Sequence, residues 1–336
     1  MRRATANPPG ARPARRRLLE LSEAHALTGL TIVLILFFTF LPATQDTFPT
    51  TGNLQVTLGA QAVLLAISLA VLLPLIGGVW DFSPGATAGL ASVLAASYGA
   101  SSGSVLVAVL VAAGTGLTIG VINGLLVTVA KINSVIATFG MTIVIAGVVQ
   151  WKSRGNSIVE GIPSSLLDFG ASKLLGLPTV VWVAFVLALV IHYLLRHTPY
   201  GRELQAVGSN RLAAGLVGIR LELVTVSAFV VGGLLAGLAG ALQLARSGAG
   251  NPTIGPGFTL PAFAAVFLGA IAIVPGRWNV WGMVIAILFL GALNSGLNLA
   301  GVDPYVNNLA NGLALLSGVG IANLIARRRG RILTTA

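Results

Sequence analysis

From Leu27 to Ile325 the sequence alternates between ten long apolar stretches and short breaks bearing polar residues, Gly or Pro. The stretches are Leu27–Pro42, Val56–Val79, Gly85–Gly99, Ser104–Ala130, Ser134–Trp151, Leu177–Leu195, Val224–Ala245, Phe258–Val274, Val280–Ala300 and Tyr305–Ile325. Hydrocarbon offers a backbone no water to bond to. A crossing segment must therefore satisfy its own N–H and C=O groups, and a helix of about 20 apolar residues does so. Charged residues are 9% of the chain, against about 25% in a soluble domain, too few to coat a water-soluble globule. The pattern predicts an all-α integral membrane protein with ten transmembrane helices, of which the third and eighth are short.

Placing the N-terminus in the cytoplasm puts 16 of the 20 Lys and Arg residues on the inner side. Only Lys152, Arg154, Lys173 and Arg246 then face outward, as the positive-inside rule requires. Both termini are expected to be cytoplasmic: a disordered basic tail over 1–24, one transmembrane domain over 25–326 and a tail over 327–336. This topology accounts for the net charge of +11 without nucleic acid as a partner. The chain has no cysteine, hence no disulfide and no thiolate metal site or nucleophile.

A faint repeat appears at a shift of about 170 residues: Ile122-Asn123-Gly124-Leu125 matches Leu293-Asn294-Ser295-Gly296. A shift of five helices is odd, so the reading is two inverted five-helix halves. Ala112, Gly116, Gly120 and Gly124 form one smooth helix face, as do Gly233 and Gly237, for close packing within a subunit or across a dimer. None of the ten interiors contains Asp, Glu or Lys, and no acid–base or metal-ligating groups converge on a catalytic site. Neutral amides are present instead, among them Asn123, Asn133, Asn294 and Asn298. Each is expected to bond to a neighbouring helix or to line a path for a hydroxyl-rich solute. Asp81, in Asp81-Phe82-Ser83-Pro84, stands before the third stretch as a helix cap or a group near that path.

The longest inner loop, 197–222, carries a short capped helix starting at Ser209 or Asn210 and ending at Gly218. Leu212 and Leu216 share its face, and Ala213, Ala214 and Gly215 permit close approach by another protein. This loop resembles the ATPase-coupling loop of ribose-type ABC importer permeases. Gly201, Arg202, Ala206, Gly208, Asn210, Ala213, Ala214, Gly218 and Ile219 match its pattern at the same spacing. Asp81-Phe82-Ser83, Ile122-Asn123-Gly124, Ile136-Ala137-Thr138-Phe139-Gly140-Met141 and Ala264-Ala265-Val266-Phe267-Leu268-Gly269 resemble further elements of that family. Pro84 and the run Pro275-Gly276-Arg277 depart from it.

The resemblance implies a permease subunit in a prokaryotic inner (plasma) membrane, importing a monosaccharide-like solute. Its expected partners are a cytoplasmic ATP-binding cassette ATPase, an extracytoplasmic solute-binding protein, a second permease copy or paralogue, and membrane lipid. No cofactor is expected on this chain: ATP and Mg belong to the ATPase, since none of Lys131, Lys152 and Lys173 lies in a phosphate-binding loop. Candidate coupling residues are Gly201, Arg202, Glu203, Ala206, Gly208, Asn210, Leu212, Ala213, Ala214, Leu216 and Gly218. The candidate translocation path comprises Asp81, Phe82, Ser83, Asn123, Asn133, Phe139, Asn294 and Asn298. Rival readings are a permease for branched-chain amino acids or another small solute, disfavoured by the Asp81-Phe82-Ser83 element and by a lack of buried charge to meet a zwitterion, and an ion-coupled carrier acting alone.

Overall fold

A computed structural model describes residues 14–328; the outer parts of both expected tails, 1–13 and 329–336, lie outside it. The first five helices are α1 (Ala14–Phe40), α2 (Thr51–Ile76), α3 (Pro84–Ser102), α4 (Val105–Thr128) and α5 (Ser134–Ser153). A short helix α6 (Ser164–Ala171) and a hairpin of β1 (Lys173–Leu174) and β2 (Leu177–Pro178) follow, neither read from the sequence. Next come α7 (Thr179–His197), α8 (Pro199–Ser209), α9 (Arg211–Leu216) and α10 (Leu221–Ser247). The chain continues as α11 (Ile254–Gly257), α12 (Thr259–Gly269), α13 (Val280–Leu299) and α14 (Pro304–Arg328).

Six of these are long and apolar enough to cross a membrane: α2, α4, α5, α7, α10 and α13. The protein is therefore a multi-pass membrane protein. The eighth stretch, Phe258–Val274, is helical only over Thr259–Gly269. Gly255, Pro256 and Gly257 leave only a single turn in α11, and the helix after it stops at Gly269. Beyond it the chain turns through Ile273, whose φ is +58°, and Pro275.

The centre of the bundle is α2, buried almost without interruption from Ala62 to Ile76. Its sequence is apolar all round, which suits a helix wrapped on every side by protein. α10 packs against α2, α3 and α4. The α4–α10 seam is the glycine face read from the sequence. A methyl on Gly116 would overlap the Gly233 carbonyl oxygen, and one on Gly237 would overlap that of Ala112. Those glycines thus join helices within one chain.

Candidate functional site: an irregular segment along α5 and an exposed knob

Pro74 sits in the last turn of α2, and Gly77 and Gly78 end the helix, Gly78 with φ +79°. Residues 79–83 then run without helical structure, so their backbone groups need partners from elsewhere. α5 supplies them from one edge. Trp80 N donates to Ser134 Oγ (3.1 Å), Phe82 N donates to Thr138 Oγ1 (3.0 Å), and Thr142 Oγ1 donates to the Phe82 carbonyl (3.2 Å). Ser134, Thr138 and Thr142 recur every fourth residue, on one face of the helix. The segment therefore follows α5 for about 12 Å before α3 begins; the third helix is not short as expected, because it runs past Gly99 to Ser102 and has 19 residues.

Asp81 is 2% exposed. Its Oδ1 accepts from Ser83 N (2.9 Å) and Ser83 Oγ (2.7 Å), so it braces the turn rather than capping the first N–H groups of α3. Ser83 is the N-cap residue and Pro84 the first helical one. Asn123, 0% exposed, donates from Nδ2 to Ser83 Oγ (2.8 Å), while its Oδ1 is buried without a partner. Asp81 also corrects the expectation of no buried charge: its carboxyl lies inside the protein.

Aromatic rings cover the other side of the strand. Trp80 stacks on Phe82 (5.8 Å between centroids) and on Phe263 of α12 (5.6 Å), and Phe82 meets Phe263 at 4.8 Å. Phe139 of α5 contacts Phe82 edge-on at 6.4 Å and is itself exposed. Phe82, Ser83, Asn123 and Phe139 thus cluster with Asp81, as grouped from the sequence. The other three amides do not join them. Asn133 caps α5, accepting from Val135 N and Ile136 N. Asn294 donates to Asn311 (3.2 Å), and Asn298 accepts from Asn307, which tie α13 to α14. Ser134, Thr138, Thr142, Trp80 and Phe263 were missed; the four-residue hydroxyl spacing was the available signal.

The turn recurs in the second half. Asn251 Oδ1 accepts from Thr253 N and Thr253 Oγ1, both at 2.9 Å, as Asp81 Oδ1 does from Ser83. The offset is 170 residues from Asp81 to Asn251, from Ser83 to Thr253 and from Gly85 to Gly255. The two glycines touch reciprocally. A Cβ on Gly85 would lie 2.7 Å from the Gly255 oxygen, and a Cβ on Gly255 2.8 Å from the Gly85 oxygen.

The loop over 197–222 holds two helices where the sequence reading placed one. Thr198 caps α8 by accepting from Gly201 N (3.4 Å), with Pro199 at its first position. Asn210 caps α9, accepting from Ala213 N (3.0 Å), and Gly218, φ +85°, ends it. The candidate coupling residues divide into two sets. Gly201 and Ala214 are buried and Ala206 and Gly208 half-buried, mounting the loop on the bundle. Arg202, Glu203, Asn210, Leu212, Ala213, Leu216 and Gly218 are exposed. Leu212, Leu216 and Val217 are 84%, 90% and 77% exposed, a bare aliphatic tip on a capped helix. Burial pushes the nearby Tyr200 phenol above its ordinary value, so it stays protonated.

The profile of the family described as "Branched-chain amino acid transport system / permease component" matches residues 54–319. The ribose import permease protein of Escherichia coli strain K12 is 32% identical over 306 residues, covering 90% of this chain and 94% of that protein. The ribose import permease protein of Bacillus subtilis strain 168 is 36% identical over 257 residues, covering 76% and 78%. The L-arabinose ABC transporter permease protein of Azospirillum brasilense is 27% identical over 292 residues, covering 87% and 86%. No solved structure matches the chain. With four-fifths of its length under the family profile and a relative nearly as long as itself at 32% identity, the chain belongs to the branched-chain amino acid transport system permease family.

Proposed function

We propose that this chain is the membrane-spanning subunit of an ATP-driven importer for a monosaccharide or related polyhydroxylated solute. The observation that carries the coupling role is the aliphatic tip of α9, rigidly capped and bare of protein contacts. Apolar side chains exposed outside the bilayer mark a protein interface, and the partner it fits is a cytoplasmic ATPase that holds ATP and Mg. An extracytoplasmic binding protein and a second permease copy or paralogue complete the assembly. The sugar reading rests on relatives named for ribose and arabinose.

Ten helices in two inverted halves, with cytoplasmic termini, remain the topology of this proposal. The paired turns at Asp81 and Asn251 support it, as does the reciprocal contact of Gly85 with Gly255, the arrangement a two-fold axis between them produces. The cluster of Asp81, Ser83, Asn123, Phe82 and Phe139 is the proposed inner part of the solute path. Leu216→Glu tests the coupling role. It places a charge on an exposed tip, so insertion and folding are expected to be unchanged while ATPase co-purification and ribose uptake are lost. Normal uptake by that variant would sink the assignment. Leucine uptake without ribose uptake by the wild-type importer would replace the sugar with an amino acid.

A further inference from the structure

The inner loop touches the buried strand at one joint. Leu204 of α8 is fully buried, and its Cδ1 lies 2.9 Å from where a Cβ on Gly77 would stand. A methyl on Gly208 would overlap the Ile76 carbonyl oxygen, and a Cβ on Gly78 would lie 3.2 Å from Gly208 Cα. The last turn of α8 thus rests directly on the backbone that opens the strand.

Past the joint the chain has little slack. Val79 N donates to the Pro74 carbonyl (3.0 Å), and Trp80 and Phe82 are bonded to the α5 hydroxyls. Trp80 and Phe82 are in turn stacked on Phe263 of α12. α9 is held differently: Arg211 donates to Thr225 of α10 (3.3 Å), and Ile219 N returns to the Ala214 carbonyl (3.1 Å). Close-packed, hydrogen-bonded links pass a displacement on, whereas loose ones absorb it.

Resting on the permease reading, we infer that Leu204 is a positioning residue. Through the Gly77–Gly78 turn it carries the motion of the inner loop into strand 79–82, and so to α5 and α12 around Phe82 and Phe139. The path to the solute then runs through this strand, not only through the two helices that flank the loop.

The cysteine-free sequence permits a reversible test with the pair Gly77→Cys and Leu204→Cys. Gly77 has φ −74°, open to any side chain, and transport is compared only after oxidation is seen to consume both thiols, which reports that the pair has closed. The importer is assembled with its ATPase and binding protein in bacterial phospholipid vesicles, with D-ribose as the probe and uptake per ATP hydrolysed as the readout. Reduced, the pair replaces Leu204 with a shorter side chain, and the ratio is expected to fall at least about fivefold, the lower end of measured inter-site couplings. Oxidised, the same molecules are expected to regain the wild-type ratio. An identical ratio in both states, high or low, overturns the inference. If the pair does not assemble, Leu204→Val is the second variant: a lowered ratio with ATP hydrolysis retained supports the joint, and an unchanged ratio overturns it. A wild-type importer that hydrolyses ATP without moving ribose defeats the permease reading itself, and the inference with it.

Discussion

Residues 77–83 and 248–253 are built on one turn but held to different degrees. In the first segment the accepting side chain is a carboxylate, 2% exposed, and the backbone on either side of it is bonded to three hydroxyls of α5. In the second segment the acceptor is the amide Asn251, half-buried, next to Pro252 and the exposed Thr253. Its tie to the rest of the bundle is a two-bond bridge between Gly250 and Ile158 (2.9 and 3.1 Å). Irregular backbone inside a membrane persists only where protein or a hydrated cavity satisfies it. Residues 79–82 are satisfied by fixed side chains of α5, whereas Asn251 and Thr253 bond within their own turn. The same local chemistry therefore makes a firmly held segment and a less firmly held one, and the two meet at Gly85 and Gly255.

The sharpest way to break this comparison is at the contact the two segments share. Gly85→Val and Gly255→Val each drive a branched side chain into the opposing backbone, 2.7 and 2.8 Å away from the first added carbon. Both are expected to cost more than about 4 kcal/mol, the range of clashes that a packed core cannot relax. The measurement is yield of monodisperse protein from membranes. A tolerated valine at one glycine alone would mean the halves are not equivalently packed there. A smaller effect separates the two acceptors. Asp81→Ala removes a charged acceptor from two donors and is expected to cost about 1.5–3 kcal/mol, against about 0.5–1.5 kcal/mol for Asn251→Ala. Thermal unfolding of both variants in one detergent measures the gap, and equal losses would erase the distinction between stiff and loose.

The sequence showed some of these features and hid others for physical reasons. Each of the ten apolar stretches contains a helix, six of them long and apolar enough to cross a membrane, because exclusion from water leaves a long apolar run no other way to satisfy its backbone. Gly116 and Gly233 were legible for the same reason, as only small residues let helices in lipid approach closely. The α9 cap at Asn210 and its end at Gly218 were local and readable. What was hidden depends on non-local partners. Trp80 and Phe82 look like part of an ordinary helix boundary until α5 is seen to lie beside them. Asn294 and Asn298 could be read as helix-to-helix bonds or as path-lining groups, because an amide in an apolar run announces a partner without naming it. Where the helix of the eighth stretch ends was hidden, since the run stays apolar through Ile273 and Val274, beyond its last helical residue, Gly269.

The finest test lies at the middle rung of the hydroxyl ladder. Thr138→Val keeps the shape of the side chain and its packing in α5. It removes the oxygen that accepts from Phe82 N, while the bonds at Trp80 and to the Phe82 carbonyl keep their partners. A single neutral hydrogen bond is worth about 1 kcal/mol net, so the global transition is expected to move little. Local opening of the strand is expected to rise by a factor of about 5. Hydrogen exchange at the Phe82 amide reads that factor directly, with the Thr253 amide as the internal reference, since its acceptor Asn251 is untouched. Faster exchange at Phe82 alone locates the stiffness in the ladder. Equal protection in variant and wild type would mean the aromatic stack of Trp80, Phe82 and Phe263 holds the strand by itself.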